Sequence, residues 1–377
     1  MSFDRIIGHS KQIEMLKRAI SGGTLAHAYL FSGPESIGKQ LVALNFAKAL
    51  NCEKGGAEPC NACPPCRRIE SRNFIDVQIF APKGLTRQLK VEQIEQFISQ
   101  VNLKPFEGKK KVFILSDSDR ANVSFQNKIL KILEEPPQDT IIVLITSSID
   151  TLLPTIRSRC QILNFSALSV DEVEKQLISE GTAKEEAILA ARLSQGQLGK
   201  AYQWLEPERA AQRESLFAII SSTKRLPIEV SIAAANELEG YLKKKRDSAI
   251  ENELKAVKQE PSWANMDETA RSRFEEDIKA DAEGRFRMEA SGVLNLLALF
   301  YRDMLVLKET GREDLILNLD FLKPLKQAAE FCTCEDIFRK IKIIESTRES
   351  MDRNVKVSSC LEAMLLRLTE RETAEAV

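Results

Sequence analysis

The chain reads as an α/β domain built on a parallel sheet, followed by an all-helical remainder, and three observations carry that reading. Unbroken apolar runs at 28–31, 112–115 and 141–145 alternate with helical patterns; such runs are expected of strands buried on both faces of a parallel sheet. Between the first run and a helical pattern over 41–50 lies Gly33-Pro34-Glu35-Ser36-Ile37-Gly38-Lys39-Gln40. That order of strand, glycine loop and helix is the setting in which loop amides and a helix N-terminus cradle phosphates. After Ser166 the strand patterns cease and helical periodicity takes over.

Length and composition bound the alternatives. At 377 residues the chain has room for two or three domains with ordinary cores. Apolar residues make up 43%, which suits a globular protein, and no apolar run approaches the roughly 20 residues that span a bilayer. The start, Met1-Ser2-Phe3-Asp4-Arg5, lacks the basic region and apolar core of a secretion signal, so the cytoplasm is the expected compartment. There the eight cysteines should be reduced, and clustered ones read as metal ligands rather than disulfides. The formal net charge of −1 is far from the basic excess of a protein that grips DNA alone. Any nucleic-acid contact is expected to be local or shared with partners.

Residues 10–20 place Ile13, Leu16, Ala19 and Ile20 on one face of an amphipathic helix opened by Ser10. Residues 76–80 alternate as a strand, and Val91, Ile94, Ile98 and Val101 recur at helical spacing. Residues 122–133 read as a helix that Pro136-Pro137 stops, and 162–165 as a further buried strand. The α/β domain is therefore placed at 1–167, with an insertion at 51–66. Breaks at Gly181, at 196–199 and at Pro227 divide the rest into helical regions at 168–227 and 228–377. Residues 241–290 hold 23 charged residues in 50, 11 basic and 12 acidic. This mixture predicts a solvated insertion or a long exposed helix rather than core, with Lys243-Lys244-Lys245-Arg246 read as a solvated helix end ahead of a DNA contact. Val357, Leu361, Met364, Leu365 and Leu368 restore an apolar face, and the tail from 369 onward is expected to fray.

Cys52, Cys60, Cys63 and Cys66 form C-x7-C-x2-C-x2-C. Four thiolates suffice for tetrahedral zinc, and two-residue gaps let one tight turn aim two sulfurs at one ion. An iron–sulfur cluster is the rival occupant, because Cys60, Cys63 and Cys66 also suit it. Four ligands leave no open coordination position, so the role is structural. Cys332, Cys334 and Cys360 lie in helical sequence and are expected to be buried apolar fillers.

The glycine loop fits G-x-x-x-x-G-K-[ST] through Gly33, Gly38 and Lys39, but Gln40 stands where a hydroxyl should bind magnesium. A working site also needs an acidic residue directly after the next apolar strand. Here that strand, 112–115, is followed by Ser116, with Asp117 and Asp119 nearby. Both losses strike the ligands of one ion, which argues against hydrolysis. Ser147 and Ser148 follow the strand at 141–145, where they either contact a γ-phosphate or form a Ser/Thr turn. Lys39 is expected to bind phosphate, or else to be solvated or paired with Asp117.

Several stretches together are similar to the AAA+ clamp-loader ATPases: Ile7-Gly8-His9, residues 27–34, Leu130-Lys131-Ile132-Leu133-Glu134-Glu135-Pro136-Pro137, and Leu153-Pro154-Thr155-Ile156-Arg157-Ser158-Arg159-Cys160. The four-cysteine insertion and Asn354-Val355, followed by residues 361–366, also resemble this family. The resemblance implies a RecA-like domain with a parallel sheet, a small helical lid, and a helical collar that assembles a ring of five subunits. It implies partners: motor (gamma/tau) and delta subunits, with the sliding clamp and primer–template DNA reached through the complex. Arg159, with Ser158 beside it, matches the arginine finger that completes a neighbour's ATP site; Arg157 is read as structural. The lid stretch Gly196-Gln197-Leu198-Gly199-Lys200-Ala201 carries Gly199 where motor subunits have arginine. Losses at Gln40, Ser116 and Gly199 together imply a stator-like subunit that does not turn over ATP alone. A motor ATPase using Lys39 and Asp117 is the alternative, and a standalone zinc-containing DNA-binding protein is the weaker third.

Overall fold

The structure is a computed structural model and describes residues 2–82, 84, 89, 91–221, 228–259, 263, 266–353 and 355–369. Pro227, Asn354 and the tail beyond 369, singled out above, lie outside the described residues. The chain divides into two compact units: Met1–Lys83 with Arg87–Gln203, and Gly84–Thr86 with Trp204–Val377.

The first unit opens with α1 (Ser10–Ser21), whose N-cap is His9 rather than Ser10, in the left-handed region at φ 58. Then follow β1 (Ala28–Ser32), α2 (Lys39–Asn51), α3 (Pro64–Glu70), β2 (Val77–Phe80), α4 (Val91–Val101), β3 (Lys111–Leu115), α5 (Val123–Glu134), β4 (Thr140–Thr146), α6 (Pro154–Arg157) and β5 (Gln161–Asn164). The five strands form one parallel sheet in the order β2-β3-β4-β1-β5. β1, β3 and β4 are buried at every residue, as continuous apolar runs demand. Side chains of opposite pleat feed two cores. One takes Tyr29, Phe31, Val112, Ile114 and Val143 with α2; the other takes Leu30, Phe113, Leu115, Ile142 and Leu144 with α4 and α5.

β5 departs from expectation. It is an edge strand with only Leu163 buried, and Ile162 is exposed. Pairing on one side only leaves an edge strand half solvated, so a run of apolar letters overstated its burial. After β5 come α7 (Val170–Ser179), opened by a capping box between Ser169 and Glu172, α8 (Lys184–Ser194) and α9 (Leu198–Trp204).

The second unit is helical: α10 (Pro207–Ser221), α11 (Ile228–Lys258), α12 (Glu268–Thr310), α13 (Leu322–Glu330), α14 (Cys334–Asp352) and α15 (Val357–Thr369). By composition α12 is long and apolar enough to cross a membrane, but its apolar side chains, among them Leu294, Leu297, Phe300 and Met304, form the core of this unit. The charged stretch 241–290 lies on the facing parts of α11 and α12, and it is not wholly solvated. Leu242, Phe286 and Ala290 belong to the core, while charges pair along and between the helices: Lys255 with Glu251, Arg246 with Glu283, Lys258 with Glu275, and Arg285 with Glu253. The lysine cluster is mid-helix, not at an end. Lys243 pairs with Glu239 and Lys245 with Glu289. Of the three C-terminal cysteines only Cys360 is buried; Cys332 and Cys334 are half-buried.

Candidate functional site

The phosphate loop leaves β1 at Gly33. Here φ is +151, and a Cβ would lie 2.1 Å from the carbonyl oxygen of Phe165. Only glycine admits that close approach. Gly38, at φ +103, turns the chain into α2 with open space where a Cβ would be. The Lys39 side chain is 6% exposed and folds back to donate to the carbonyls of Gly33 and Pro34. Burial lowers its pKa, against the raising influence of Glu35, Asp117 and Asp119. Of the three readings of Lys39, full solvation is excluded, and Asp117 acts on it through charge. Gln40 is exposed on the first turn of α2.

After β3 the chain presents a serine and two nearby aspartates. Ser116, directly after β3, is buried, and its hydroxyl has no hydrogen-bond partner. Asp117 lies in the left-handed region at φ 48. Asp119 accepts from Thr146 Oγ1 at 3.1 Å, the Ser147 amide at 3.0 Å and Ser147 Oγ at 3.2 Å. The Ser147 hydroxyl is thus committed to a carboxylate, and Ser148 takes part in a local turn with Thr146 and Thr151.

Gly199 meets the loop directly. Its amide donates to Ser36 O at 2.9 Å, and a Cβ would stand 3.1 Å from Ser36 Cβ and 3.2 Å from Ser36 O. A side chain at this position would require Ser36 to give way by a few tenths of an ångström. His9 joins the same region: its Nε2 lies 2.8 Å from Ile37 O, its ring meets Phe165 edge-on, and burial lowers its pKa.

Arg159 lies just beyond α6, on the turn into β5. Its side chain is 35% exposed. One terminal nitrogen donates to Thr155 O at 3.0 Å, and the other pairs with Glu134 Oε1 at 2.8 Å. Ser158 is exposed, and its hydroxyl donates to Thr155 O at 3.1 Å. Arg157 pairs with Asp150. Glu134 stands 25 positions from Arg159, and nothing in the sequence marks the pair.

The four-cysteine cluster joins the end of α2 to α3. Cys63 caps α3 and Cys66 lies within it. The ligand sulfurs of Cys52, Cys60, Cys63 and Cys66 all lie within 4.8 Å of one another, which admits a tetrahedral ion with metal–sulfur bonds of about 2.3 Å. Cys52, Cys63 and Cys66 are buried. Amides of Ala62 and Cys63 lower the Cys60 pKa to about 6, whereas burial raises that of Cys66. Lys109 donates to Cys52 O, and wholly buried Lys48 pairs with Glu70. No sequence signal marked either lysine. Asp76 gathers the amides of Phe106, Glu107 and Gly108 at 2.7–3.0 Å, fixing the loop that carries Lys109.

Residues 8–169 match the family model described as "DNA polymerase III, delta subunit". The chain is 29% identical to DNA polymerase III subunit delta' of Bacillus subtilis, over 95% of both chains. It is 35% identical over 207 residues to DNA polymerase III subunit tau of Escherichia coli, covering 52% of this chain and 31% of that one. A solved DNA polymerase III gamma subunit-related protein of Thermotoga maritima is 16% identical over 95% of this chain and 100% of that chain, with a TM-score of 0.47. The chain is similar to DNA polymerase III clamp-loader subunits, and its likeness to delta' runs the length of both chains.

Proposed function

We propose that this clamp-loader subunit does not hydrolyse ATP itself but lends Arg159 to the ATP site of a neighbouring subunit. In this reading it works in the cytoplasm beside motor (gamma/tau) and delta subunits, and helps the assembly place a sliding clamp on primer–template DNA. Residues 1–167 serve as the RecA-like domain, 168–227 as the lid, and 228–377 as the collar that assembles the ring.

One observation carries the reading. At both places where magnesium needs a ligand, the side chain is unsuitable: Gln40 is an exposed amide, and Ser116 is a buried hydroxyl. Of the two carboxylates that follow, Asp117 lies in the left-handed region directly after Ser116, and Asp119 is engaged by Ser147. Without the metal bridging β- and γ-oxygens, developing charge on a transferring phosphoryl group is not neutralised. Gly199 supports the same conclusion, because it holds no cation over the loop. Arg159 is the contrasting group. A guanidinium is permanently charged and matches phosphate geometry, and this one is partly exposed on a turn rather than buried.

The purified chain is expected to show no magnesium-dependent ATP turnover. Turnover that Lys39→Ala abolishes would establish the motor reading instead. Salt-sensitive DNA affinity of the isolated chain would favour a standalone DNA-binding protein. In the reconstituted loader, Arg159→Ala should leave assembly intact and lower ATP hydrolysis.

For the cysteine cluster we infer structural zinc. Zinc near one equivalent by elemental analysis is the expected result; iron with visible absorption would assign a cluster. Because the ligands bind as thiolates, affinity should weaken as pH falls.

A further inference from the structure

We infer that Glu134 is the positioning residue of Arg159, holding the guanidinium in the pose from which it reaches the neighbouring subunit's nucleotide. The inference deepens the arginine-finger reading and rests on it. Two stretches separated in sequence, already packed in one core, also meet here through an ion pair. Glu134 is the last residue of α5, and Arg159 follows α6. Their ion pair is 2.8 Å long, with the two side chains 35% and 49% exposed. The second anchor is the Thr155 carbonyl, 3.0 Å from the other terminal nitrogen.

Arginine carries five N–H donors in a planar fork. A carboxylate on one terminal nitrogen and a carbonyl on the other fix the plane of the fork and leave further N–H groups for a phosphate. A long side chain held in one orientation before it meets its target avoids reorganisation during the reaction. An exposed pair is also weakly coupled, so Glu134 can orient the arginine without competing strongly against a multiply charged phosphate. Arg157 has a separate partner in Asp150, so the two neighbouring arginines are held apart and each by its own acid.

The test uses Glu134→Gln, which keeps the shape and removes the charge, in the full chain reconstituted with its motor and delta subunits. Steady-state ATP hydrolysis is measured per assembled complex. The expected result is a kcat lower by about 2- to 5-fold, the range that the coupling of an exposed ion pair supplies, with KM for ATP unchanged. Glu135→Gln, which removes the adjacent charge, should leave the rate as it was. In the Arg159→Ala background, Glu134→Gln should lower kcat no further. An unchanged rate for Glu134→Gln alongside a clear loss for Arg159→Ala would overturn the positioning role alone. An equal loss in both backgrounds would also overturn it, because the residue would then act independently of the arginine. An unchanged rate for Arg159→Ala would overturn the finger reading and this inference with it.

Discussion

The phosphate loop and the Arg159 turn both carry a cation at the end of a buried parallel strand or beside one, yet they use it in opposite ways. Lys39 is 6% exposed, and it donates to the carbonyls of Gly33 and Pro34 in its own loop. Arg159 is 35% exposed, tied by a surface carboxylate and one carbonyl. The first arrangement makes a rigid turn; the second leaves a charged fork within reach of another molecule. In the proposed reading, a phosphate-binding motif persists as architecture without its metal ligands, while the cation that acts on phosphate lies on the turn before β5.

The comparison breaks most visibly at Arg159. Arg159→Lys keeps the charge but loses the planar fork, and the bidentate geometry does not transfer to an ammonium. ATP hydrolysis at the site it serves is expected to fall nearly as far as with alanine, on the order of 10³-fold or more, measured as single-turnover rate in the assembled loader. A rate close to the unmodified complex would mean that only charge matters. At the loop the expected effect is on folding. Gly33→Ala places a methyl 2.1 Å from Phe165 O in a left-handed conformation; roughly 3 kcal/mol of stability should be lost, read by urea denaturation. Gly38→Ala meets open space and carries conformational strain alone, so about 1–2 kcal/mol is expected. If the two glycines cost the same, close packing on Phe165 is not what requires Gly33. The smallest effect is at Gln40. Gln40→Ser on the exposed first turn should change stability by less than about 0.5 kcal/mol, and it should not confer turnover, because Ser116 and Gly199 remain. Turnover in that variant would show that a single ligand was missing.

Much of this was legible in the sequence, for identifiable reasons. The strands β1, β3 and β4 are buried on both faces, so each appears as an unbroken apolar run. The cysteines are close in sequence as well as in space, and Gln40 and Ser116 sit at fixed offsets from a strand. What was hidden depends on tertiary proximity. Gly199 donates to Ser36 across 163 positions, Asp119 is engaged by a serine on the next strand's loop, and Glu134 finds Arg159 across a turn. Edge status of β5 was invisible because apolar letters do not report how many neighbours a strand has. The 241–290 stretch was read as solvated because its few core residues, Leu242, Phe286 and Ala290, are outnumbered by charges that pair along and between two long helices.

In the proposed reading, this subunit's chemistry is exerted in a neighbour's site and not in its own. That reading is tested most directly by comparing Lys39→Ala and Arg159→Ala, each in the fully assembled loader, by clamp- and DNA-stimulated ATP hydrolysis per complex. An essentially unchanged rate is expected for Lys39→Ala and a large loss for Arg159→Ala with assembly preserved. The reverse pattern, a large loss at Lys39 and none at Arg159, would contradict it.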